Sequence, residues 1–168
     1  ESYIAVALRA ANKADPHAEL FINDYGLEED GDRWNAFLKL VTKLKSQGIP
    51  IDGVGFEAHV YEKGDRINPG VLKKHMQQLA NLGLVSRISE MDVYDDDGVR
   101  VQAQQYKAIF AMCLNEPNCV SWTTWGVSDR YDIFIDDDGR PEYGHDFLWN
   151  DAMEPTRGLL QIQRLLDM

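Results

Sequence analysis

Apolar positions along the chain switch between two rhythms. In residues 2–14, Tyr3, Ile4, Ala7, Leu8 and Ala11 recur at helical spacing, and Asp15-Pro16 stops the helix. Leu20-Phe21-Ile22 reads as a short buried strand. Residues 31–47 return to the helical period, with Trp34, Phe37, Leu38, Val41 and Leu44 on one face and Gly48 past the end. Residues 52–56 predict a second strand. Asn68-Pro69, a cap followed by proline, opens a helix that runs to about Leu82 and is closed by Gly83. A third strand is predicted over 84–89. The next helix, 101–114, carries Ala103, Tyr106, Ile109, Phe110 and Cys113 on its apolar side. Residues 120–124 give a fourth strand. A long loop with a hairpin around Asp138-Gly139 follows. The last helix starts near Pro155 and carries Leu159, Leu160, Ile162, Leu165 and Leu166.

After one leading helix the order is strand then helix, four times. Such alternation implies parallel strands joined by right-handed crossovers. A small doubly wound sheet and part of an eight-fold barrel both fit. No glycine-rich phosphate loop follows the first strand, which counts against a nucleotide-binding doubly wound fold. The residues that close the strands, Asn23, His59, Glu90 and Trp125, lie 36, 31 and 35 residues apart. This is a structural period without sequence repetition.

Composition narrows the function classes. The 168 residues match one average domain. With 44% hydrophobic and 27% charged residues, the chain is too apolar for disorder. No run approaches the roughly 18 apolar residues of a membrane span, and no signal-peptide pattern is visible at the N-terminus. The net charge is −11, with 17 Lys and Arg against 28 Asp and Glu. Phosphate backbones and anionic membrane surfaces would repel such a chain, so neither nucleic acid nor membrane is an expected partner.

In parallel α/β folds, chemistry gathers at the C-terminal ends of strands. Those ends hold Asn23-Asp24-Tyr25, Glu57-Ala58-His59, Glu90-Met91-Asp92 and Thr123-Thr124-Trp125. Glu90 and Asp92 are two apart, so on a strand they point to one side. A histidine from the neighbouring strand, His59, would lie between or beside them, keep Glu90 ionised and fix its orientation. A held, ionised carboxylate suits a nucleophile that attacks an anomeric carbon. Trp125 offers a flat face on which a sugar ring can stack. The scattered His17, His75 and His145 show no metal-ligand spacing, and no metal or cofactor is expected. The acidic runs 95–97 and 136–138 each precede glycine and read as solvated turns. A hydrolase triad of Ser128, His59 and Asp129 lacks the Gly-x-Ser-x-Gly elbow.

Four segments together resemble successive motifs of the family 10 glycoside hydrolases: residues 14–25, 51–59, 88–93 and 123–129. Those are retaining endo-1,4-β-xylanases built on a (β/α)8 barrel. The resemblance covers nearly the whole chain, in order, and implies an α/β fold that is the C-terminal half of a TIM barrel, strands five to eight with their helices. It implies that Glu90 is the catalytic nucleophile, that His59 hydrogen-bonds it, and that Asp92 is the acidic partner of that histidine. Asn23, Asp24, Tyr25 and Glu57 fall in substrate-side motifs, and Trp125 matches the aromatic floor under the sugar. Cys113 and Cys119 match a pair often found as a disulfide, which suits a secreted polysaccharide-degrading enzyme. The implied partners are xylan or xylo-oligosaccharide.

There are departures from the family pattern. Glu57 stands where glutamine is usual, and an extra carboxylate beside the nucleophile raises proton affinities there. Gly26 replaces an asparagine, and Ile133 falls near the place of a second tryptophan. Retaining hydrolysis needs two carboxyl groups about 5–5.5 Å apart, yet no Asn-Glu occurs here at a strand end. Asn115-Glu116 follows a helix and precedes Pro117. The expectation is a half-barrel, residues 1–168, that carries the nucleophile and lacks the acid/base. Such a chain would be inactive alone and would pair with the N-terminal half-barrel or with a second copy of itself. The alternative is a non-catalytic carbohydrate-binding or self-associating fragment.

Overall fold

The computed structural model describes residues 2–61, 63–95, 97–131 and 145–167. The expected hairpin at Asp138-Gly139, the acidic turn 136–138 and Ile133 lie outside the described residues. The elements are α1 (Tyr3–Ala14), β1 (Phe21–Asp24), α2 (Asp32–Ser46), β2 (Gly53–Phe56), β3 (His59–Val60), α3 (Pro69–Ala80), β4 (Val85–Val93), α4 (Val99–Leu114), β5 (Cys119–Thr124) and α5 (Arg157–Leu166), with one 3-10 turn at Asp129–Tyr131. Side chains start two helices, α3 at the expected Asn68 cap and α1 at Ser2. Ser2 accepts the Ala5 N–H at 3.3 Å, and Asn68 accepts those of Gly70 and Val71 at 2.9 and 3.3 Å.

All strand pairs are parallel. The sheet runs β1-β2-β4-β5, and β3 lies beside the far end of β4. Helices α2, α3 and α4 make the crossovers, and the result is half of a (β/α)8 barrel. Strands β1 and β5 each pair with one neighbour among the described residues.

Two strand boundaries and one added strand differ from the sequence reading. The first strand covers Phe21–Asp24 rather than 20–22 and is half-buried, because it has a partner on one side only. The second holds as Gly53–Phe56, but a further short strand, β3, follows it after Glu57-Ala58, where Ala58 takes the left-handed conformation (φ 65°). The third extends to Val93, so Glu90 and Asp92 lie within it rather than after it. The physical reason is β3, whose His59 and Val60 pair with Asp92 and Val93 and prolong the ladder past Ser89.

One face of the sheet carries the core. Val54, Phe56 and Ile88 are fully buried in one cluster with Trp34, Val41, Leu72, Met76, Leu79, Tyr106 and Ile109 from the three crossover helices. On the opposite face the side chains interleave with glycine. A Cβ at Gly53 would come within 2.2 Å of the Phe21 ring, and one at Gly55 within 2.1 Å of Asn23 Oδ1. The two glycines therefore make room for the two β1 side chains. Arg87 lies over the same Phe21 ring, 4.5 Å from its centroid. Cys113 at the end of α4 and Cys119 at the start of β5 form a disulfide.

Candidate active site

The site sits where β1, the β2–β3 junction and β4 meet. Asn23 reaches across the gap left by Gly55. Its Nδ2 donates to Glu57 Oε1 and to Glu90 Oε1, each at 3.0 Å. Its Oδ1 accepts from the Ser89 hydroxyl. Ser89 and Glu90 are consecutive, yet both reach Asn23. A bulge explains this: between Ile88 and Met91, β4 carries one residue more than β5. Such a bulge re-aims side chains that strict alternation would send to opposite faces.

His59 lies between the two acids of β4. Its Nδ1–H donates to Asp92 Oδ1 at 2.8 Å, and Asp92 is fully buried. Its Nε2 faces Glu57 Oε2 at 3.4 Å and Glu90 Oε2 at 3.5 Å. Burial pulls the proton affinity of His59 down. The hydrogen bond and charge of Asp92, joined by the charges of Glu57 and Glu90, outweigh it and leave the ring above its ordinary value. Burial first, then the Glu90 charge, pushes the Glu57 carboxyl upward, the direction an added acid implies.

Glu57 and Glu90 hold the same Asn23 nitrogen and face the same His59 nitrogen. Their working atoms are within 4.8 Å of each other. Glu57 and Glu90 thus form one closely coupled pair of acids around Asn23 and His59.

Aromatic rings border the cluster. Trp125, 44% exposed, meets the His59 ring edge-on at 5.9 Å. Tyr61 stacks on His59 at 4.8 Å, and burial with the Asp92 charge pushes its hydroxyl far above the ordinary tyrosine value. Tyr25 does not join the network around Glu90. It lines a cleft of about 470 Å³ that also holds Glu57, His59 and Tyr61. Asp24 turns away and pairs with Arg33 at 2.9 Å, while Arg33 also covers the Tyr25 ring at 4.0 Å.

The structure thus brings Asn23, Glu57, His59, Glu90, Asp92 and Trp125 together, and leaves Tyr25 and Asp24 at the rim. The other candidates resolve differently. His17 is exposed, and His75 is buried with its ring stacked on Trp34 at 3.9 Å. Asp129 faces His145 at 3.3 Å, while Ser128 Oγ donates to the Asn150 carbonyl at 2.9 Å. Neither completes a triad with His59.

Sequence reasoning passed over four contributors. Ser89 and Gly55 fix Asn23. Arg33 braces Tyr25. Glu28, buried, accepts the Ala58 N–H at 2.7 Å and so supports the strained turn that presents His59. The Gly-x-Gly spacing in β2 was the one visible signal, since glycines two apart on a strand leave one face bare. An acid thirty residues from the turn that it supports carries no local signature.

Comparison with known proteins agrees with this arrangement. Residues 1–163 match the model of glycosyl hydrolase family 10. An endo-1,4-beta-xylanase of Agaricus bisporus is 36% identical over 135 residues, covering 77% of this chain and 40% of that protein. Endo-1,4-beta-xylanase B of Thermotoga neapolitana is 38% identical over 135 residues, with 77% and 38% covered. The crystal structure of xylanase 10B from Thermotoga petrophila in complex with xylobiose superposes with a TM-score of 0.87 at 31% identity, over 98% of this chain and 51% of that one. The chain spans about half the solved structure, or less of the curated relatives. Over the length that it does span, the order of strand-end motifs, the parallel half-barrel and the match to the family model coincide, and the chain belongs to glycosyl hydrolase family 10.

Proposed function

We propose that this chain is the nucleophile-bearing half of a retaining endo-1,4-β-xylanase. The observation that carries the reading is the hold on Glu90. One carboxylate oxygen accepts from Asn23 at 3.0 Å, and the other faces His59, whose far nitrogen is anchored on buried Asp92. A carboxylate so fixed is ready for attack on an anomeric carbon. The sugar would lie on Trp125, with the rest of the chain entering the cleft by Tyr25 and Tyr61. Glu90 forms the glycosyl–enzyme ester as the leaving oxygen takes a proton. Water then cleaves that ester and restores the anomeric configuration.

The proton donor would come from strands one to four of the barrel, because Glu57, the carboxyl beside Glu90, shares its Asn23 and His59 contacts with the nucleophile. The open edge of β1 favours such a complement. Beside it runs a groove of about 510 Å³ lined by Tyr3, Ile4, Ala7 and Leu8 of α1 and by Phe21 and Asn23. A further parallel strand placed there would pair the free β1 edge and cover the apolar side chains. The Cys113–Cys119 disulfide supports a secreted enzyme.

The test combines this chain with a polypeptide covering strands one to four of a family member and adds a xylobioside carrying fluorine at C2 of the reacting sugar. The expected result is xylan hydrolysis by the pair, none by this chain alone, and a mass label on the peptide containing Glu90. Full activity of the isolated chain, or a label on another residue, refutes the reading. Xylo-oligosaccharide binding with no label and no turnover in the pair would favour a non-catalytic sugar-binding role.

A further inference from the structure

We propose that Glu57, His59 and Glu90 form a binding site for a zinc-like divalent cation, and that the cation and a sugar compete for it. His59 Nδ1 is engaged by buried Asp92 Oδ1 at 2.8 Å. That leaves Nε2 facing Glu57 Oε2 at 3.4 Å and Glu90 Oε2 at 3.5 Å, and a metal ion there would displace the proton that Nε2 carries when the ring is charged. Three acceptor atoms then converge on one point, which calls for a proton or a metal ion. Asn23 does not fill it, because its donor serves the other oxygen of each carboxylate.

Geometry favours a small tetrahedral ion. Zinc bonds to histidine nitrogen and carboxylate oxygen of about 2.0–2.2 Å set neighbouring ligand atoms roughly 3.3–3.6 Å apart. The two edges from His59 Nε2 measure 3.4 and 3.5 Å. The third lies within 4.8 Å. The surroundings supply what such sites need. A buried carboxylate orients the ligating histidine from behind, and Asn23 holds both ligating carboxylates. The fourth position opens onto the cleft that holds Glu57 and His59. Charge also favours a cation, since three acids surround one histidine. The family's usual glutamine at position 57 would remove one anionic ligand, so the site is a property of this chain's own Glu57.

Metal on Glu90 would occupy the oxygen that a sugar must approach, which makes zinc a reversible competitor of substrate. The site does not require Glu90 to be a nucleophile, so its failure and the failure of the xylanase reading are distinguishable. The test uses the full chain, with zinc titrated calorimetrically and cobalt(II) as a visible-spectrum probe. The expected result is one tight zinc per chain and the intense absorption of tetrahedral cobalt. Glu57→Gln should weaken zinc at least tenfold and abolish that absorption, while Asp151→Asn changes neither. Unchanged affinity in Glu57→Gln, or only the weak absorption of octahedral cobalt in the parent chain, overturns the proposal. Should circular dichroism show Glu57→Gln unfolded, imidazole NMR of the parent chain decides. Zinc must shift the His59 ring resonances, and shifts confined to His17, His75 or His145 refute the site.

Discussion

Gly55→Ala tests whether the site depends on empty space in β2. The added Cβ would lie 2.1 Å from Asn23 Oδ1 and 3.0 Å from Asn23 Cγ, so the amide must leave its place. It would then lose its bonds to Glu57 and Glu90, each at 3.0 Å. A hydrogen bond to a charged group contributes about 1.5–3 kcal/mol net. Both bonds are half-buried, so the lower figure applies and the pair contributes about 3 kcal/mol. Alanine recovers about 0.5–1 kcal/mol of backbone entropy relative to glycine. The expected net cost is therefore about 2 kcal/mol, read by urea unfolding at pH 7. The control is a double-mutant cycle. In an Asn23→Ala background the clash has no partner, and Gly55→Ala should be neutral or slightly stabilising. An equal cost in both backgrounds would refute the reasoning, because the penalty would then arise in the backbone rather than from Asn23.

Burial raises the proton affinity of Glu28, against the Ala58 N–H bond that lowers it. The folded state then binds this proton more tightly than the unfolded state, so the Glu28 contribution declines as pH rises from the ordinary glutamate range through the raised folded value. Glu28→Gln keeps an acceptor for Ala58 and should gain stability relative to the parent as pH rises over that window; a pH-independent difference in melting temperature contradicts this. Glu28→Ala leaves the Ala58 N–H without its partner and should cost about 1–3 kcal/mol in denaturant unfolding at pH 5. Replacing Cys113 and Cys119 by serine opens a loop of sequence separation 6 and should cost about 2 kcal/mol by loop-entropy arithmetic, checked by chemical unfolding with and without reductant. Trp34→Ala removes a buried ring stacked on His75 and should cost about 3–5 kcal/mol, measured the same way.

The sequence by itself determined the elements and most of the cluster. Apolar periodicity placed all five helices of the described residues, because each must turn one stripe toward the sheet. It also placed four strands in the right order, and the strand-end rule selected Asn23, His59, Glu90 and Trp125. The i, i+2 spacing of Glu90 and Asp92 was enough to expect a histidine beside both. Tertiary structure decided the rest. The β2–β3 break at Ala58 depends on Glu28, distant in sequence. The continuation of β4 to Val93 depends on ladder partners from β3. The bulge that turns Ser89 and Glu90 toward Asn23 is set by register against β5. That Glu57 shares both nitrogens with Glu90 follows from side chains brought together by three strands. Periodicity is local and survives in one dimension. Register, bulges and shared hydrogen bonds are relations between segments, and they exist only once the strands lie side by side.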